Sequence, residues 1–222
     1  MSGRIGQLFI NDDKITTYLC LNNHLSFLSP EEGKELSVNV QLHNEKGDIV
    51  VEKTVHLANR GALSLSVSEL LQGIPCRVGM ASCDTGVGNT HFFTYYLNNE
   101  SQAMAIIHPQ SAMGQSEKGK AWRSCQSIVT DKLQSLKVFH ANHSIHPATI
   151  RYTLRDFYEK TVVDERMLQV EGASAGFVEF DIVRLSACPS LVSLETDTLP
   201  SPNGKALLMR EYSNGRYSMS HG

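Results

Sequence analysis

The stretch LSVNVQLH, Leu36 to His43, sets Leu36, Val38, Val40 and Leu42 on one side of an extended chain and Ser37, Asn39, Gln41 and His43 on the other. Successive side chains of a strand point to opposite faces, so such a row buries one face and wets the other. That is the mark of an antiparallel sheet packed on one side. The same period of two recurs at Leu63, Leu65 and Val67 and at Val178, Phe180 and Ile182. Clusters of turn-forming residues separate the runs: NEKGD (44–48), NNES (98–101) and SNGR (213–216). No segment keeps a 3.6-residue period long enough for a full helix, although SVSELLQG (66–73) supports a single turn. The pattern predicts an all-β chain of short strands at sandwich spacing.

Working outward, VQLHNEKGDIVVEKTV (40–55) lies over YTLRDFYEKTVVDERM (152–167) at a shift of 112 residues. Val50-Val51-Glu52 then falls on Val162-Val163-Asp164, and Cys76 on Cys188. With a slip of one, Leu65 and Val67 meet Val178 and Phe180. LCLNNHLS (19–26) lies over VFHANHSI (138–145), so Asn23-His24 meets Asn142-His143. The two final hairpins, ending in His108 and His221, also match in type. Collinear matches of this kind predict an internal duplication. The expected architecture is two tandem antiparallel β-sandwiches, residues 1–113 and 114–222, each of ordinary sandwich size. The join, HPQSAMGQSEKGKAW (108–122), reads as a polar surface linker.

Composition narrows the function. The 222 residues are 41% hydrophobic and 19% charged, with a formal net charge of -3 and no run of Lys or Arg. That balance offers no electrostatic footprint for nucleic acid or an acidic membrane. The start, MSGRIGQLFINDDK, lacks a signal-like apolar core, and no stretch is apolar enough for a membrane span. The five cysteines form no CxxC pair, which predicts reduced thiols in a cytoplasm.

VFHANHSIHPATI (138–150) holds the chief chemical candidates, His140, His143 and His146. Three neutral imidazoles can bind zinc or copper and leave a position open for water. Their spacing of three opposes this, because on a strand alternate members point to opposite faces. The first copy keeps only the Asn-His pair, which suits a strand ending in an Asn-directed turn. His108 and His221 end equivalent strands and are candidates for a shared pocket. CDTGVG (83–88) contains the Asp-Thr-Gly of aspartic proteases, but that chemistry needs a second such carboxylate and the second half has none. Gly86 and Gly88 suit a turn there. No nucleophile elbow or phosphate-binding loop is present.

Trp122, VFHAN (138–142), IRYTLRDFYEK (150–160), LQV (168–170), VEFDI (178–182) and the terminal His221 follow one another in an order that resembles the sensory rhodopsin transducer family. The first half shows a similar order from LCLNN (19–23) to AMAIIH (103–108). EGASAG (171–176) stands where that family has a basic pair, and Pro109-Gln110-Ser111 where it has a charged segment. The resemblance implies a small cytoplasmic sandwich that self-associates and binds a partner.

The expectation is therefore a non-enzymatic cytoplasmic module for interaction or assembly, without cofactor. It would associate through an edge strand, either AMAIIH or RYSMSHG, which carry little charge and no Pro. The alternatives are a histidine-based metal protein and a ligand-binding sandwich, with Tyr95, Tyr96, Tyr212 and Tyr217 as a sugar platform.

Overall fold

A computed structural model describes residues 4–23, 26, 34–86, 92–108, 111–114, 121–185, 189–198 and 206–221. The first sandwich comprises β1 (Ile5–Ile10), β2 (Ile15–Asn22), β3 (Leu36–His43), β4 (Ile49–Leu57), β5 (Ala62–Ser66), β6 (Val78–Asp84), β7 (Phe92–Asn98), β8 (Met104–Ile107) and the short β9 (Ser111–Ala112). The second comprises β10 (Ala121–Val129), β11 (Leu133–Asn142), β12 (Ala148–Asp156), β13 (Val162–Val170), β14 (Ser174–Asp181), β15 (Leu191–Thr198), β16 (Leu207–Tyr212) and β17 (Tyr217–His221). One helical turn, α1 (Val67–Leu71), begins where Ser66 accepts from the Glu69 N–H. Among the described residues, no helix is long and apolar enough to cross a membrane.

Every named strand pair is antiparallel. The sheets run β4-β3-β6-β1-β9 and β5-β2-β7-β8 in the first sandwich, and β13-β12-β15-β10 and β14-β11-β16-β17 in the second. Setting β9 aside, adding nine to each strand number of the first half gives the second. The register breaks at matching places too, between Leu42 and His43 on β3 and between Leu154 and Arg155 on β12.

Each sandwich has its own core. Phe9, Leu19, Val38, Val40, Leu42 and Phe92 belong to the first. Leu136, Val138, Ile150, Tyr152, Phe180 and Leu208 belong to the second. A third cluster joins the two. Leu8 and Ile10 on β1 and Val78 and Met80 on β6 face away from the first core. Phe139 and Ala141 on β11, Ala175 on β14, and Leu207 and Met209 on β16 face away from the second. These outward faces meet in one buried seam. Strands covered on both sides lose alternation, which is why β1 and β6 are buried almost throughout.

The join between the halves is more structured than a surface linker. β9 pairs with β1 through Gly6 and Ser111 and through Ile5 and Ala112. Met113 packs over Gly6, where an added Cβ would lie 2.2 Å from its sulfur. The Gly114 N–H then donates to the His143 carbonyl, 2.9 Å away in the second sandwich. A free edge of β1 and a gap above a glycine account for this; both are filled by the nearest chain.

The Asn residues of the repeated Asn-His pair do equivalent work. Asn23 is buried, and its amide donates to the carbonyls of Lys34 (2.8 Å) and Ala58 (3.1 Å), before β3 and after β4. Asn142 is buried, and its amide donates to the carbonyls of His146 (2.8 Å), Glu171 (2.9 Å) and Val170 (3.4 Å), around the start of β12 and the end of β13. One side chain thus ties its own strand end to the segment before β12 and to the end of β13. Stranding a buried acceptor costs on the order of 1–3 kcal/mol. Asn142→Ala should lower the unfolding free energy by roughly 3 kcal/mol, and Asn23→Ala by somewhat less, because it serves fewer carbonyls. Asn142→Asp should lose more than Ala, since a carboxylate would face oxygen acceptors; urea unfolding of the three variants checks the order.

Candidate functional site

The three clustered histidines part company. β11 carries Leu136, Val138 and His140 toward the core of its own sandwich, where His140 Nδ1 meets the Tyr152 hydroxyl. Its Nε2 has no hydrogen-bond partner among the described residues. His143, just past the strand, points the other way and reaches across the seam to the Gly6 carbonyl, with Nε2 at 3.1 Å. His146 is exposed. Among the described residues, no group of three or more His, Cys, Asp or Glu is placed to hold a metal ion. Burial holds both inner imidazoles neutral, lowering His140 to about 3, with His143 adding to the effect, and His143 to about 4.

His108 and His221 come together. The end of β8 and the end of β17 lie side by side, and the two rings meet edge to face with centroids 5.1 Å apart. The Tyr217 hydroxyl lies within reach of the carbonyls of Tyr96 (2.8 Å) and Ala103 (2.9 Å) and shares its one hydrogen between them, fastening β17 to the β7–β8 hairpin. Glu211 on β16 adds an ionic tie, pairing with Lys14 of the first sandwich and Lys137 of the second, each at 3.2 Å. Burial works against its ionised form, but the two ammonium groups outweigh it and hold Glu211 below the usual carboxylate range.

Of the four tyrosines considered for a sugar platform, Tyr96 is buried and bonds the Leu8 carbonyl at 2.6 Å. Tyr212 packs against the second core. Asp84 turns the chain by accepting from the Gly86 N–H at 2.8 Å, and Gly86 has φ +69°. A groove of about 470 Å³ is lined by residues that include Glu45, Leu71, Pro75, Cys76 and Arg77. Cys76 is its nucleophile by type, but burial raises the thiol to about 11, so it is protonated at neutral pH. His24, His91 and Cys188 lie outside the described residues.

A surface that the sequence reading passed over stands out on the first sandwich. On the outer face of β5-β2-β7-β8, cross-strand rows run Tyr18–Tyr95–Ile106 and Thr16–Leu97–Met104, and Phe93 pairs with Cys20. Met104 is 58% exposed, Ile106 55% and Phe93 38%. The strands themselves, ALSLS, ITTYLCLN, FFTYYLN and MAII, contain no Asp, Glu, Lys or Arg. A sheet face turned to water is normally polar. The signal was legible in FFTYYL, where apolar residues occupy both faces.

No family model matches this chain, and no curated protein matches it.

The buried histidines make stability depend on pH. An unfolded imidazole titrates near 6.5, whereas the folded ones remain neutral to about 4 and about 3. Their contribution is complete above pH 6.5 and is lost as pH falls toward the folded values. Each removes about 1.4 kcal/mol per pH unit within that window. His43, also lowered by burial, acts in the same direction. Unfolding free energies at pH 7, 6 and 5 should fall steeply, and His143→Asn should flatten the slope by about one proton's worth; equal slopes would show that His143 does not titrate as described.

Proposed function

We propose that this chain is a non-enzymatic, cytoplasmic interaction module, derived by duplication of one sandwich, whose contact surface is the outer face of β5-β2-β7-β8. The observation that carries this reading is the exposed Phe93, Met104 and Ile106 on a sheet whose strands hold no ionised residue. Exposed, contiguous apolar surface is the usual mark of a binding site on a folded protein. The matching strand orders and paired register breaks support duplication. The free thiols of Cys20, Cys76 and Cys83 accord with a reducing compartment. The resemblance to sensory rhodopsin transducers points the same way, toward a partner-binding sandwich.

We place the contact on the sheet face rather than on the two edge strands. β8 and β17 lie against each other, with His108 on His221 and Tyr217 on the Ala103 carbonyl, so each edge already has a neighbour. The face has none among the described residues.

A photo-crosslinking residue tests this reading in the producing cell. Ile106→p-benzoylphenylalanine should give one or a few discrete protein adducts. The same substitution at Met167, 53% exposed on the second sandwich beside Arg151 and Arg166, should give none. Equal yields at the two sites would remove the proposal.

A further inference from the structure

We infer that His108 and His221 form a two-histidine site for a divalent ion of the zinc, nickel and copper class, and that the bound ion fastens one sandwich to the other. The site is separate from the contact face proposed above and does not depend on it.

β8 and β17 are edge strands of different sheets, one in each sandwich, and they lie side by side. Their contact is pinned at one end, where the Tyr217 hydroxyl meets the Ala103 carbonyl. At the other end stand His108, which follows Ile107 of β8, and His221, the last residue of β17. Tyr217, Met219 and His221 share one face of β17 by the period of two, and the first two pack into the seam. Ser220 faces the other way and accepts from Arg210 at 2.9 Å, so that contact lies on the face away from His221.

The spacing of the rings suits a shared ion. A zinc–nitrogen bond is about 2.05 Å and the ring centre lies roughly 1.1 Å beyond the nitrogen, so two imidazoles on one tetrahedral ion have centres about 5.2 Å apart. The centres of His108 and His221 are 5.1 Å apart. The χ2 torsion of histidine is soft, so each ring can turn a nitrogen to a common point without moving its strand. Hydrogen bonding gives a second, independent sign. His221 Nδ1 is buried and has no hydrogen-bond partner among the described residues. Buried polar atoms require a partner, and an ion satisfies the lone pair of a neutral imidazole. Access is also met, because His108 is exposed. His140 and His143, fully buried and facing opposite ways, offer no such entry. Imidazole selects zinc, nickel and copper over magnesium and calcium, which prefer oxygen.

Two protein ligands leave the remaining positions to water. Each sandwich supplies one imidazole, so both nitrogens reach the ion only while the sandwiches are docked. A ligand that binds only the docked form stabilises it.

Titration of the untagged full chain with nickel or zinc chloride should give one ion per chain by calorimetry. An excess about a hundredfold over the dissociation constant should raise the thermal midpoint by roughly 5–10 °C. Magnesium should have no effect. His108→Ala should keep the metal-free midpoint, since that side chain is exposed, and lose the rise. His221→Ala should lose the rise as well. His56→Ala, which removes a surface imidazole beside Glu35, should keep it. With copper, pulsed electron paramagnetic resonance should count two imidazoles in the parent and fewer in either variant. No rise with nickel or zinc overturns the inference, as does a rise that survives His108→Ala or a single imidazole in the parent.

Discussion

The sheet built on β11 is apolar on both faces and is covered on both, and that double burial organises how the two sandwiches meet. β11 supplies Leu136 and Val138 to its own core and Phe139 and Ala141 to the seam. A single sandwich built on β11, β14 and β16 would leave this second row in water. The first sandwich meets the need with the outer sides of β1 and β6, where Leu8, Ile10, Val78 and Met80 stand. Removing a large apolar side chain from water stabilises by about 1.5–3 kcal/mol. The aggregate over the seam is far larger than the 0–1 kcal/mol typical of an exposed ion pair. Lys14–Glu211 therefore orients the two bodies more than it holds them.

Polar groups at the seam follow from the same burial. Once the apolar faces close, every carbonyl between them needs a donor. His143 supplies one to Gly6, and Gly114 supplies one back to His143. An imidazole suits this place because it is long enough to cross between sheets and can donate while uncharged. A lysine would reach as far but would carry a charge into an apolar layer. The tandem arrangement thus explains why a histidine follows Asn142, a matter that a single sandwich leaves without reason.

Much of the fold was legible because most strands have one wet face. Leu36, Val38, Val40 and Leu42 alternate as read, and NEKGD, NNES and SNGR close the β3–β4, β7–β8 and β16–β17 hairpins. Strand order and the seam were not legible. Period two says which face is buried, but not against what, so QLFI on β1 and LLM on β16 gave no sign of covering each other. The polar join hid a strand for a similar reason: SAM pairs and packs because a free β1 edge and the hollow at Gly6 lie beside it, and neither is visible along the chain. Spacing did show that His140 and His143 diverge. It could not show their destinations, Tyr152 in one core and Gly6 across the seam, which depend on contacts twelve and more than a hundred residues away.

The matching strand orders of the two sandwiches also bear on why one face is left open. Two like sandwiches that bind through one face each can satisfy one another only if the contact is twofold. Here it is not: the outer face of β14-β11-β16-β17 meets β1 and β6, a different surface. A heterologous contact between two bodies always leaves one of each surface unused. The two unused surfaces differ in character. The counterpart of β1 and β6 lies in a sheet carrying Arg151, Arg155, Glu165 and Glu195, which water solvates and which discourages further stacking. The counterpart of the β14-β11-β16-β17 face carries Tyr95, Ile106, Met104 and Phe93. Open-ended stacking requires both surfaces to remain adhesive, so charge on one is enough to stop it. The other, a sheet face whose strands carry no ionised residue, is the surface we assign to the proposed contact.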